Sequence, residues 1–210
     1  MIIGKTPQAE QELGTPARLA SFVADIARLQ PNREKILFVC IGTDRSTGDA
    51  LGPLVGTLLT ENGWPRVIGT LAEPCDAHRV EGAAAAAMHE QSESSLTVIA
   101  IDACLGKPQS IGGYMMGSGP LQPGAATGRQ LPPIGDYAIA GVVNRFGPKA
   151  YGMLQTTSLH LVMGMAREIV SAINEAWYIH NSESSHPLIS NNILPVDGGM
   201  GITPMRRDFV

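Results

Sequence analysis

Aromatic side chains are scarce in this sequence: Phe, Trp and Tyr together make up 5% of 210 residues. A core must therefore be packed mainly from aliphatic residues, and the 44% hydrophobic content is enough for one domain of this length. Cysteine is sparse too. The three present are an odd number with no metal-type spacing, which argues against a disulfide framework and fits a reducing cytosol. Basic charge is not in excess, with 15 Lys and Arg against 19 Asp and Glu and a net charge of −4. Such a surface does not attract a polyanion, so no nucleic-acid partner is expected. No apolar run approaches the ~20 residues of a membrane span. The opening MIIGKTPQAEQELGTP lacks the basic flank and apolar stretch of a signal peptide. The expectation is a cytoplasmic protein with no membrane contact. What is plentiful is small or rigid: 24 glycines and 15 prolines, as in α/β proteins with tight loops.

Hydrophobic spacing predicts the elements. Thr15-Pro16 reads as an N-cap with proline at the first helical position, and Leu19, Phe22, Val23, Ile26 and Leu29 recur at helical spacing over 16–30. ILFVCIG (36–42) is a continuous apolar run, the mark of a strand covered on both faces. Leu51, Leu54, Val55, Leu58 and Leu59 predict a second helix. RVIGTL (66–71) is a short strand candidate, and GAAAAAMHE (82–90) a helix on alanine propensity. SLTVIAIDACLG (95–106) is another apolar strand with an acid at its carboxyl end. Residues 107–135 are Gly/Pro-rich, with IGGYMMGSG a strand or hairpin and GPLQPGAATGRQLPPIGD a long loop of the kind that often carries function. YAIAGVVN (137–144) is a strand, and a last helix covers 158–178. The expected architecture is α/β: a mostly parallel central sheet with helices on both faces, in one domain over 1–178. HNSESSHPLISNN opens a linker and tail over 179–210, where Arg206 and Arg207 read as solvated charges.

Sheets of this kind react at the carboxyl ends of their strands. Two acids fall there, Asp49 in GTDRSTGDALGP and Asp102 in IAIDACLG. Singly, Asp49 reads as a helix cap and Asp102 as a strand-ending turn residue. As a pair on neighbouring parallel strands they would lie ~5–10 Å apart, given ~4.8 Å between strands. Carboxyls at that distance can split their pKa values, one serving as base and the other holding a proton. They can equally ligate a divalent metal. Asp44 is a loop acid that would shape substrate access, or a turn residue. Arg45 offsets local negative charge or holds a substrate carboxylate. Asn144, at the carboxyl end of its strand, is expected to face the site. His160 would complete a metal set with Asp49 and Asp102 if the last helix starts near that edge of the sheet. Gly42, Gly48 and Gly52 fit neither phosphate-loop spacing, and Cys104 reads as a packed, inert thiol.

FVCIGTDRSTGDALGPLVGTLL, AIDACLG, GPLQPGAATGRQLPPIGD and GVVN together resemble the YyaC-type proteins of endospore-forming bacteria, a family regarded as spore proteases. The resemblance covers roughly 33–175. More distantly, GDALGP and IAIDA are similar to segments of the germination protease and of the hydrogenase-maturation endopeptidases. It implies a three-layer α/β sandwich of the phosphorylase or peptidyl-tRNA-hydrolase type. Asp49 and Asp102 match the two acidic active-site positions of the germination protease. In the maturation enzymes the corresponding acids bind nickel with a histidine, and LQTTSLHLVMGMA places His160 in the comparable region. The long loop resembles a Gly-rich segment of the substrate groove. The implied activity is an endopeptidase without a cofactor, acting on protein or peptide substrates in the spore or forespore interior. A Ni- or Zn-assisted maturation-type protease is the alternative. A non-catalytic spore scaffold is the alternative from another class, because retained carboxylates do not imply turnover. A homo-oligomer is compatible with all three.

Overall fold

The computed structural model describes residues 12–124 and 131–183. The expectations for the N-terminus, the tail arginines and the centre of the long loop lie outside these residues. Strand β2 (Ile36–Cys40) is buried at every position. That burial explains its unbroken apolar run, because both of its faces are covered. It pairs in parallel with β4 (Thr97–Gly106), from Ile36 opposite Thr97 to Cys40 opposite Ile101. β4 pairs in parallel with β6 (Tyr137–Arg145), and β3 (Val67–Ile68) pairs in parallel with β2. β5 (Tyr114–Ser118) lies antiparallel to β6, and β1 (Glu12–Gly14) antiparallel to β5. The six-stranded order is β1-β5-β6-β4-β2-β3, with β5 the one reversed strand.

The mostly parallel sheet expected from the alternation of elements is therefore present. The strand expected over 66–71 shrinks to two residues, because Gly69 turns the chain out of the sheet at φ +92°. β2 stops two residues short of the expected end, and the alanine-rich helix is longer than expected, as α3 (Val80–Ser94).

Apolar side chains collect on both faces of the sheet. On one, α1 (Pro16–Leu29), α2 (Leu51–Glu61) and α5 (Leu159–Glu183) bury Leu19, Val23, Val55, Leu59, Ile169 and Ile173 against Phe38, Ile99, Ile101 and Ile139. On the other, α3 contributes Val80, Ala83 and Ala84 against Val39, Val98, Ala100 and Ala140. That helix covers only part of the face. Leu121, Leu131 and Ile134 of the long loop cover more of it. The few aromatics are concentrated. Phe38, Trp64 and Trp177 form two edge-to-face contacts at 4.9 and 5.2 Å, each worth about 0.5–1.5 kcal/mol beyond burial. Trp64 Nε1 donates to Asn174 Oδ1 and Trp177 Nε1 to the Gln30 carbonyl, so α5 is pinned to the amino-terminal edge of the sheet. No described helix is long and apolar enough to cross a membrane.

Close approach of α2 to the end of β2 depends on Gly52. A Cβ there would stand 2.1 Å from the Ile41 carbonyl oxygen, a backbone atom. Glycine to alanine inside a helix normally gains about 1 kcal/mol of propensity. Here overpacking reverses the sign. Gly52→Ala is expected to lower unfolding free energy by about 3 kcal/mol, read from the midpoint of a urea titration. A midpoint at or above wild type would mean that α2 can move away from β2 at no cost.

Candidate active site

The loop after β2 is folded back on itself. Gly42 adopts φ +146°, and a Cβ on it would stand 2.0 Å from the Asp49 carbonyl oxygen. Thr43 N–H donates to that same oxygen at 3.2 Å. The loop is also tied sideways, since Gly48 N–H donates to the Leu154 carbonyl at 2.8 Å in α4 (Ala150–Gln155). Asp49 is thereby held in place without capping α2. Ala50 occupies the cap position, and no side chain caps the helix there.

Asp102 arrives by a different route. The β2–β4 pairing ends at Cys40 and Ile101, and beyond it β4 continues against β6 alone, from Asp102 opposite Ala140 to Gly106 opposite Arg145. Asp102 is thus the first residue of β4 past the end of β2, rather than the last residue of its strand. It shares a strand face with Val98, Ala100 and Cys104. The chain leaves β2 through α2 over one face and returns to β4 through α3 over the other. The gap between β2 and β4 is where the strand order reverses, the place where open α/β sheets form a binding crevice.

A cavity of about 950 Å³ occupies that crevice. Both Asp49 and Asp102 line it, with Arg45, Asp76, His78, Cys104, Gln122, Lys149 and Tyr151 among the other lining residues. Burial pushes Asp102 up to about 7, and the nearby charge of Asp49 adds to the rise. The Ala103 N–H, donating to Asp102 Oδ1 at 2.7 Å, works in the opposite direction. Burial also raises Asp49, opposed by the neighbouring Ser46 hydroxyl. That hydroxyl is itself buried and makes no hydrogen bond of regular geometry. Its influence on Asp49 is therefore one of proximity. Burial raises the Cys104 thiol to about 12 and the Cys75 thiol to about 11. Neither supplies a thiolate near neutrality, and the expected inertness of Cys104 agrees with this.

The other expected site residues divide. Arg45 lines the cavity. Asp44 is exposed on the outside of the loop and is not among the lining residues. Asn144 does not face the cavity. Its Nδ2 donates to the Met153 carbonyl at 2.8 Å and to Thr157 Oγ1 at 3.2 Å, and its Oδ1 accepts from Arg145 N–H. It fastens the end of β6 to α4 and the turn that follows. His160 lies in the exposed first turn of α5, away from the cavity lining. Among the described residues no group of three or more His, Cys, Asp or Glu side chains is placed to hold a metal ion. The set of Asp49, Asp102 and His160 is not brought together, because α5 starts outside the crevice.

Asp76, His78 and Lys149 were not singled out as site residues from the sequence. Asp76 had a legible signal. It is the signal of a helix cap, an Asp a few residues ahead of the alanine-rich helix. Asp76 Oδ1 accepts from His78 and Arg79 N–H and caps the entry to α3.

A family described as "Protein of unknown function (DUF1256)" matches residues 12–172. The chain is also 45% identical over 141 residues to a Bacillus subtilis (strain 168) protein described as "Uncharacterized protein YyaC", which covers 66% of this chain and 68% of that protein. Neither description carries an activity.

Proposed function

The chain belongs to the DUF1256 family, and from its paired acids, together with the resemblance of their motifs to the germination protease, we propose that it is an aspartate-dependent endopeptidase. One observation carries the reading. Two carboxyls, one from the loop entering α2 and one from β4 just past the end of β2, share a cavity at the strand-order reversal, and the charge of Asp49 bears on the ionisation of Asp102. Asp102, with its pKa near 7, is the member that keeps a proton in neutral solution. In this reading the role of charged base falls to Asp49, whose carboxyl is raised by burial and lowered by the Ser46 hydroxyl beside it. In the proposed reaction Asp49 takes a proton from a water molecule, whose oxygen bonds to the scissile carbonyl carbon. Asp102 then gives its proton to the departing amine as the C–N bond breaks. Proton exchange with solvent restores the starting pair.

The proposal extends to the fold type, a three-layer sandwich of the hydrogenase-maturation-protease kind, supported by apolar cores on both faces of the sheet. It extends also to protein or peptide substrates within the spore, supported by the YyaC-type resemblance. A metal-assisted reaction fits the residues less well. Two carboxylates fall short of the ligand number that nickel or zinc takes from a protein, and no third donor joins them among the described residues. No step is routed through a metal. The non-catalytic scaffold reading rests on one observation, that Asp102 Oδ1 is already engaged by the Ala103 amide.

The dyad dictates a pH profile. Cleavage requires one proton on the pair. It should fall on the acid side as Asp49 protonates and on the alkaline side as Asp102 ionises near 7. Digestion of a mixed peptide library, followed by mass spectrometry across pH 4–9, should show a bell with its alkaline limb near neutrality. Cleavage that stays constant through the alkaline range would remove Asp102 as the acid. No cleavage at any pH would favour the scaffold.

A further inference from the structure

The same cavity carries two cations that the peptidase mechanism leaves without work. Arg45 comes from the loop after β2, and Lys149 from the turn entering α4. Both line the cavity and both are exposed. Neither makes an ion pair with a described residue, although three aspartates line the same cavity. Asp76 is committed to capping α3, and Asp49 and Asp102 form the dyad. The two cations are carried by segments locked to each other, since the Gly48 N–H of one donates to the Leu154 carbonyl of the other at 2.8 Å. The backbones that carry the two side chains are thereby tied together at the mouth of the cavity.

We propose that Arg45 and Lys149 form a subsite for a carboxylate of the substrate, so that the peptide taken is an acidic one. The claim rests on the peptidase reading for its peptide, but it is made on different side chains. An anion approaching the dyad alone would be repelled by Asp49. Cations placed to one side of it offset that repulsion and orient the chain. A guanidinium fork matches the planar geometry of a carboxylate, and an ammonium adds a point charge. A dianionic phosphate would suffer more from the three acids, so the singly charged group is the better fit. The carboxylate has two sources, a Glu or Asp side chain or the chain terminus of the substrate.

The test uses the full chain and two pools of short fluorescein-labelled peptides, alike except that glutamate in one is glutamine in the other. Each pool is made with a free and with an amidated C-terminus. Fluorescence polarisation should show the pool rich in carboxylates binding about tenfold more tightly, the ratio of a ~1.4 kcal/mol contact. The double variant Arg45→Gln/Lys149→Gln should lose that preference while keeping its affinity for the fully amidated glutamine pool. Tighter binding of the glutamate pool than the glutamine pool assigns side chains, and tighter binding of free than of amidated peptides in both pools assigns the chain terminus. Equal affinities across all four pools, no binding to any of them, or a preference that survives the double variant overturns the proposal. Mass spectrometry of the same pools keeps the two readings apart. Tight binding without cleavage rejects the peptidase and leaves the subsite standing, whereas cleavage without acidic preference does the reverse.

Discussion

Asp49→Asn and Asp102→Asn are each expected to lower kcat/KM for peptide cleavage by about a thousandfold or more, with the fold intact. General acid–base assistance is typically worth 10²–10⁴-fold, and a dyad acts as a unit. The double variant should therefore lose little more than either single one. The two singles should differ in how they respond to pH. Asp102→Asn removes the proton donor, so its residual activity should lack the alkaline limb near 7. Asp49→Asn removes the base, so its residual activity should lack the acid limb. Asparagine nearly preserves the shape of aspartate, and far-ultraviolet circular dichroism should match wild type in all three. Either single variant keeping a tenth of wild-type turnover would leave the dyad without a role.

The acid at position 102 is expected to weaken the protein as pH rises, and Asp102→Asn to restore what is lost. Its carboxyl is raised from 3.8 to about 7 in the folded state, chiefly by burial. Between those values the folded chain holds a proton that the unfolded chain has released. Stability is therefore fully present below about pH 4 and falls as pH climbs through 7. Roughly three pK units at ~1.4 kcal/mol each give an upper figure of about 4 kcal/mol. Asp49, also raised by burial, adds in the same direction. At pH 8 the asparagine variant should melt above wild type by roughly 10 °C, using about 2–4 °C per kcal/mol for a chain of this size. At pH 4 the difference should vanish. Calorimetry at both values checks this, and an equal difference at both would show that burial does not strain the carboxylate. A variant that is more stable and inactive is the pattern of a site held at the expense of the fold.

Much of the chain could be read locally. The helix of 16–30 follows from apolar spacing at Leu19, Val23 and Ile26, and the observed α1 ends one residue earlier. The unbroken run from Ile36 required a strand covered on both faces, and β2 is one. The YyaC-type resemblance, drawn from short motifs, is matched by the 45% identity to a protein of that name. It does not extend to an activity. Other residues could not be placed this way. Asn144 looked like a site residue because it ends a strand, but its amide is spent joining β6 to α4. His160 looked like a ligand because it opens a helix, but that helix begins in solvent. Lys149, with no motif around it, lines the cavity.

By itself the amino-acid order determined most of the elements, though not β1 or α4, together with the α/β class and two acids set at or beyond the ends of apolar runs. Periodicity and capping act within a few residues, so they can be read without knowing the rest of the chain. Only the tertiary structure decided that β4 lies beside β2 rather than elsewhere in the sheet, and so that Asp49 and Asp102 meet. Strand order depends on pairing between residues some sixty positions apart, from Ile36–Cys40 to Thr97–Ile101. Which side chains then share the crevice depends on the packing of all the layers together.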